Sequence, residues 1–151
     1  MRFQSNSPEH TKQIAAQFAT TLTGGEVILL EGELGVGKTT FVQGFAVVLG
    51  YEGPVRSPTF TLVNIYPTTH STIKKIVHVD LYRLSREQDL QVLALEEWMN
   101  QTDSVLLVEW PQEFAIFQNT DCIKISIETL DETLRAITIL LPRHAELLRP
   151  S

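Results

Sequence analysis

The residues of this sequence that carry chemistry begin with Gly32-Glu33-Leu34-Gly35-Val36-Gly37-Lys38-Thr39-Thr40. They fit G-x-x-x-x-G-K-[ST], a pattern that cradles phosphate. Gly32, Gly35 and Gly37 free the backbone for conformations that a Cβ would block. The loop N–H groups then point inward as a nest for phosphate oxygens. Lys38 brings a mobile positive charge for the β- and γ-phosphates. Thr39 offers a hydroxyl to magnesium, a hard cation that prefers oxygen ligands. Two acids complete the set. Asp80 follows the apolar-rich run Ile76–Val79, and Glu109 follows Val105–Val108. Nucleotide hydrolysis on such a loop needs an acidic group to hold the metal or orient water. The alternative for either acid alone, an exposed strand end, is the weaker reading; the pair is more persuasive than either.

Other polar residues leave their roles open. Ser57-Pro58-Thr59 lies between the loop and Asp80. Its hydroxyls read either as a switch that senses the γ-phosphate or as a plain turn. His78 reads as a partner for a carboxylate or as a structural residue. Trp110 reads as packing. Tyr82 and Arg83 stay ambiguous, Arg83 between a phosphate or partner contact and a surface ion pair.

The elements that must position these groups follow from periodicity. Val27-Ile28-Leu29-Leu30 is a short buried strand ahead of the glycine loop. Phe41, Val42, Phe45, Val48 and Leu49 repeat at helical spacing after it, and Gly50 stops that helix. Strand, loop and helix thus come in the order a phosphate site needs, with the helix N-terminus behind the anion. Earlier, Ser7-Pro8 reads as an N-cap with proline at the first helical position, and Gly24-Gly25 as the end of that helix. Ser57 to Tyr66 reads as a turn that becomes a strand. Ile76 to Asp80 is a strand whose period of two puts His78 and Asp80 on one face. Ser85 with Gln88 resembles a capping box ahead of a helix or helix pair through Trp98. Pro111 reads as the start of a short helix. Alternating isoleucines at 123–127 and 137–139 form a hairpin that turns near Asp131. In an open α/β sheet, ligands sit beyond the carboxyl ends of the strands, which places both acids near a γ-phosphate.

Composition narrows the function classes. The chain has 151 residues, enough for one domain that buries roughly 70% of its unfolded surface. We read it as a single domain over 1–142 with a C-terminal tail over 143–151. Its hydrophobic content of 43% excludes a disordered chain. No apolar run approaches the roughly 18 residues of a membrane span. The start lacks an apolar signal region, which argues against export. Cys122 is the only cysteine, so neither an internal disulfide nor a cysteine-based metal cluster is expected. The expected location is the cytoplasm. A net charge of −6 opposes direct, non-specific capture of nucleic acid. All eight glycines fall at or before Gly53, so no second glycine-rich loop awaits another nucleotide.

Taken in order, the phosphate loop, Ser57-Pro58-Thr59-Phe60-Thr61-Leu62-Val63, His78-Val79-Asp80-Leu81-Tyr82-Arg83-Leu84 and Val108-Glu109-Trp110-Pro111 resemble the TsaE family of bacterial ATPases, also called YjeE. The resemblance runs from about Phe3 to Pro142. It implies an α/β fold: a P-loop NTPase core of parallel strands extended by antiparallel strands, with helices on both faces. It implies ATP as substrate, Mg2+ as cofactor, and work in threonylcarbamoyl modification of the adenosine beside a tRNA anticodon. TsaB and TsaD are the implied partners, with tRNA met only through their complex. By the same resemblance Thr39 and Glu109 are magnesium ligands, and Lys38, Asp80 and Glu109 form the catalytic set. Thr11, Gly35, Val36, Gly37, Lys38, Thr39, Thr40, Asp80 and Arg135 then contact ATP. The family's last strand usually carries its basic residue after a glycine, whereas Arg135 follows Leu134. Two other classes share the loop: a small-molecule kinase, and a nucleotide-dependent switch without useful turnover. An Asn-Lys-x-Asp guanine-reading pattern is absent, which disfavours the usual GTPase form.

Overall fold

The apolar run at Val27–Glu31 (β2) is buried from Val27 to Leu30, and this explains its place at the centre of the sheet. The structure is a computed structural model and describes residues 1–118 and 120–142. The tail over 143–151 lies outside the described residues. Around β2 stand Arg2–Ser5 (β1), Val63–Pro67 (β3), Lys75–Asp80 (β4), Ser104–Glu109 (β5), Ile123–Thr129 (β6) and Arg135–Leu140 (β7). They form one seven-stranded sheet in the order β1-β7-β6-β2-β5-β4-β3. β6, β2, β5 and β4 run parallel. β3 joins β4 antiparallel, β7 joins β6 antiparallel, and β1 joins β7 antiparallel. This is the expected parallel core with antiparallel extensions.

Both faces are covered, as parallel strands require. On one face Ile28 and Leu30 pack with Val105, Leu107 and Ile125 against Phe18, Phe41 and Phe45. Phe18 comes from Pro8–Ala19 (α1), and the other two phenylalanines from Lys38–Val48 (α2). On the other face Val27, Leu29, Leu106 and Val108 meet Leu90, Leu95, Phe114 and Phe117. Those side chains come from a 3-10 helix at Glu87–Leu93, from Leu95–Met99 (α3), and from around Ala115–Gln118 (α4). The period of two thus splits each strand between two cores.

Three local expectations need correction. α1 ends at Ala19 with Thr20 as its C-cap, well before Gly24. Gly24 serves a different contact: a Cβ there would clash with the Thr102 backbone. The segment after Ser57 is a turn that becomes a strand, as read: Leu62 takes a positive φ of 68° in a turn closed by Leu62 N–H on the Pro58 carbonyl at 2.7 Å, and the strand starts at Val63. Ser85 does not cap; Arg86 stands at the N-cap of the 3-10 helix without a side-chain bond. Pro111 lies in a turn and α4 begins at Ala115, whose N–H is taken by the Glu87 carboxylate at 2.6 Å. By contrast Ser7 caps α1 as read, accepting from the His10 N–H at 3.0 Å.

Candidate nucleotide site

Topology brings the chemical groups to one edge of the sheet. β2, β5 and β4 are parallel and in register, Leu30 beside Glu109 and Glu109 beside Asp80. The glycine loop leaving β2 therefore emerges beside both carboxylates. β7 runs the other way, so its first residue, Arg135, lies at the same edge, paired with Ser5 at the end of β1. That pairing carries the α1 N-terminus and Thr11 there as well.

The loop is built by its glycines. Gly35 has φ 76° and Gly37 φ 118°, values that side chains other than glycine rarely adopt. Gly37 is the N-cap of α2, so that helix starts at Lys38 with its N-terminus facing the loop. Arg135 Nε donates to the Val36 carbonyl at 3.1 Å and braces the loop from β7.

Lys38 is buried at 6% exposure. Its ammonium donates to the Gly32 carbonyl and lies 4.0 Å from the centre of the Trp110 ring. Burial lowers its pKa below the usual lysine value, while the charges of Glu109, Asp80 and Glu33 oppose that shift. Trp110 adopts φ 54°, a strained setting for a bulky residue. Its ring meets that of Tyr82 at a tilt of 57°, with centroids 5.0 Å apart.

The acids are buried too, Asp80 at 2% and Glu109 at 3%. Asp80 Oδ2 accepts from Thr59 Oγ1 at 2.8 Å, and Oδ1 accepts from the Tyr82 N–H at 2.8 Å. Ser57 Oγ lies 2.8 Å from Thr59 Oγ1. His78 Nε2–H donates to Glu109 Oε2 at 2.6 Å. Among the described contacts Glu109 Oε1 takes no hydrogen bond.

A cavity of about 310 Å³ joins these groups, lined by Lys38, Thr39, Thr40, Ser57, Thr59, Asp80, Glu109 and Trp110 among others. A neighbouring one of about 290 Å³ is lined by Thr11, Gly35, Val36, Gly37, Thr40, Thr133 and Arg135 among others. Gly35, Gly37 and Thr40 belong to both, so the loop is the wall between them. Each residue expected to contact ATP or metal, and both switch hydroxyls, thus borders one of the two cavities. A larger cavity, about 650 Å³, opens near Val27 and Ile123 at the other end of those strands. It holds no phosphate loop.

The family model described as threonylcarbamoyl adenosine biosynthesis protein TsaE matches residues 5–137. The chain belongs to the TsaE family. The tRNA threonylcarbamoyladenosine biosynthesis protein TsaE of Aquifex aeolicus is 40% identical over 136 residues, covering 88% of this chain and 90% of that protein. The protein of the same name from Rickettsia bellii is 37% identical over 135 residues, covering 89% and 90%. The crystal structure of Bacillus subtilis YdiB superposes with a TM-score of 0.74 at 32% identity, over 98% of this chain and 90% of that one. Membership places the protein in tRNA threonylcarbamoyladenosine biosynthesis, with a P-loop fold suited to nucleotide. No helix of the described residues is long and apolar enough to cross a membrane.

Phosphate loops that act on nucleotides work with a magnesium ion, and the donor set here is of a kind that magnesium accepts. Among the described residues no group of three or more His, Cys, Asp or Glu side chains forms a closed metal cage. Magnesium usually takes one or two carboxylates and leaves the rest to water and substrate phosphates. Thr39 and Glu109 line one cavity beside the phosphate loop, and Glu109 keeps Oε1 without a protein partner. Trp110, read from sequence as packing, lines the phosphate cavity, and Tyr66, whose hydroxyl lies 2.9 Å from His78 Nδ1, was not singled out. Trp110 stands next to Glu109 in sequence, which was the available signal. Tyr66 reaches the site only through cross-strand pairing.

Proposed function

We propose that this chain is the ATP-binding and ATP-hydrolysing component of the tRNA threonylcarbamoyladenosine machinery, working with TsaB and TsaD. The observation that carries the reading is one cavity holding Lys38, Thr39, Asp80 and Glu109 against the glycine loop. Loop N–H groups and the α2 N-terminus receive the phosphates. Lys38 moves from the Gly32 carbonyl to the β- and γ-phosphates, where its charge offsets the charge that develops during transfer. Thr39 and Glu109 hold Mg2+, which when bound neutralises phosphate charge. Asp80, fixed through both oxygens, orients the Ser57–Thr59 loop around the γ-phosphate and its attacking water. On the other side of the loop, Thr11, Val36 and Arg135 border the cavity for the nucleoside end. Thr11 Oγ1 lies 2.6 Å from Ser5 Oγ, which fixes its hydroxyl.

The partner half of the proposal rests on surface. Leu34, which lines the phosphate cavity, is 68% exposed, and Phe60, next in sequence to cavity-lining Thr59, is 85% exposed. Exposed apolar residues clustered at a site mark interaction surfaces. The net charge of −6 leaves tRNA to the complex. Calorimetric titration of ATP and GTP, with magnesium and with chelator, tests the reading. ATP is expected to bind more tightly than GTP and to need magnesium for hydrolysis. Tighter GTP binding, or equal hydrolysis in chelator, contradicts it.

A further inference from the structure

A line of buried polar side chains leaves Glu109 and crosses two further strands. His78 on β4 is 0% exposed and Tyr66 on β3 is 4% exposed, so both were taken out of water for some return. Buried polar groups of this kind persist when they are hydrogen-bonded. Here the contacts form a continuous line. Glu109 Oε2 accepts from His78 at 2.6 Å, and His78 Nδ1 lies 2.9 Å from the Tyr66 hydroxyl. The Tyr66 hydroxyl also lies 3.1 Å from the Arg56 carbonyl, so its one proton is shared between that carbonyl and His78 Nδ1. Arg56 precedes Ser57, and Thr59 of the same segment donates to Asp80. The loop that bears exposed Phe60 is therefore tied to both strand-end acids, to Asp80 directly and to Glu109 through Tyr66 and His78.

We propose that Tyr66 and His78 are positioning residues for the metal-side carboxylate. They hold Glu109 in the orientation that leaves Oε1 toward the cavity, and they couple it to the backbone at Arg56. The proposal rests on the ATPase reading above and adds the regulation of that site. A partner that moves the Phe60 loop pulls on Arg56 and so changes how well Glu109 is aimed. In reverse, metal–nucleotide binding at Glu109 orders the loop. Coupling of this kind is reciprocal for binding. Groups that orient a metal ligand typically cost 10–100-fold in metal affinity when lost.

Tyr66→Phe tests this with little risk to the fold. The ring keeps its place against Tyr51, with centroids 4.8 Å apart, and the Arg56 carbonyl keeps Asn64 Nδ2 at 3.2 Å. His78→Leu removes the whole bridge, and His78→Gln restores an amide donor to Glu109. ATP affinity is measured calorimetrically across a magnesium titration and in chelator. Hydrogen exchange of the 55–61 backbone is followed with and without Mg2+ and ATP. The half-saturating magnesium concentration is expected to rise about tenfold or more in His78→Leu, less in Tyr66→Phe, and to recover in part in His78→Gln. ATP affinity in chelator stays unchanged, and the 55–61 segment loses its protection by Mg2+ and ATP in Tyr66→Phe. A Tyr66→Phe chain that matches a magnesium-responsive wild type in both readouts overturns the proposal alone. A wild type whose ATP affinity ignores magnesium overturns the functional reading, and this proposal with it.

Discussion

Lys38 is the residue on which the chemistry turns. Its ammonium is parked on the Gly32 carbonyl and the Trp110 ring, contacts it can exchange for phosphate oxygens. Lys38→Ala removes a charge without opening a core cavity. We expect turnover to fall by on the order of 10²–10³ or more, the scale of losing one transition-state donor, with a melting temperature close to that of wild type. The two acids should separate by their partners. Glu109→Gln is expected to raise the magnesium requirement, because a neutral amide is a poor ligand for a hard cation. Asp80→Asn should lower kcat while ATP binding persists, since Asp80 faces the γ-phosphate side through Thr59. Magnesium titrations and steady-state kinetics on both variants check the assignment, and unchanged values in both reject it. These residues were legible because a glycine loop and strand-end acids announce themselves locally. Tyr66 was not, because its role depends on which strands become neighbours. Cys122 offers a check of burial. Its thiol is pushed up from 9.0 to about 11 by desolvation. A raised folded pKa contributes stability below pH 9 that is lost as pH climbs through 11. Denaturant unfolding should show Cys122→Ala losing less stability than wild type over that window, by on the order of 2–3 kcal/mol.

At the scale of elements, α1 and α2 decide where the loop sits. α2 begins at the loop and α1 packs across it, with Gly44 at the crossing. A Cβ on Gly44 would stand 2.6 Å from Lys12 Cα, backbone against backbone. Gly44→Ala should therefore force the helices apart and cost about 1–3 kcal/mol, or roughly 4–10 °C in melting temperature for a domain of this size. A melt within a degree of wild type would refute the close approach. The apolar runs at Val27–Leu30 and Val105–Val108 revealed their strands because both faces of those strands are buried. Ser85 and Pro111 misled because their helices are short, and short helices take their ends from tertiary contacts. α4 starts where Glu87 reaches across to the Ala115 N–H, a bond between residues far apart in sequence.

The whole molecule has a site at its surface rather than in a closed cleft. The phosphate cavity is lined by exposed Leu34 and by Thr59, next in sequence to exposed Phe60, and the bonded route from Phe60's loop to Glu109 gives a partner a handle on the metal side. On the proposed function, we expect a slow isolated ATPase that accelerates on assembly. Each tenfold gain needs only about 1.4 kcal/mol of added transition-state stabilisation, which one ordered loop can supply. ATP should tighten assembly, and assembly should tighten ATP binding by the same factor. The overall order of the sheet was legible only in outline, since no local pattern says that β1 closes on β7 and brings Thr11 to Arg135. The most direct measurement is ATP turnover across a titration of TsaB and TsaD, with Lys38→Ala run alongside. The account predicts slow turnover alone, a saturable rise with the partners, and none of it in Lys38→Ala. A fast ATPase indifferent to TsaB and TsaD, or a rise that survives in Lys38→Ala, would contradict it.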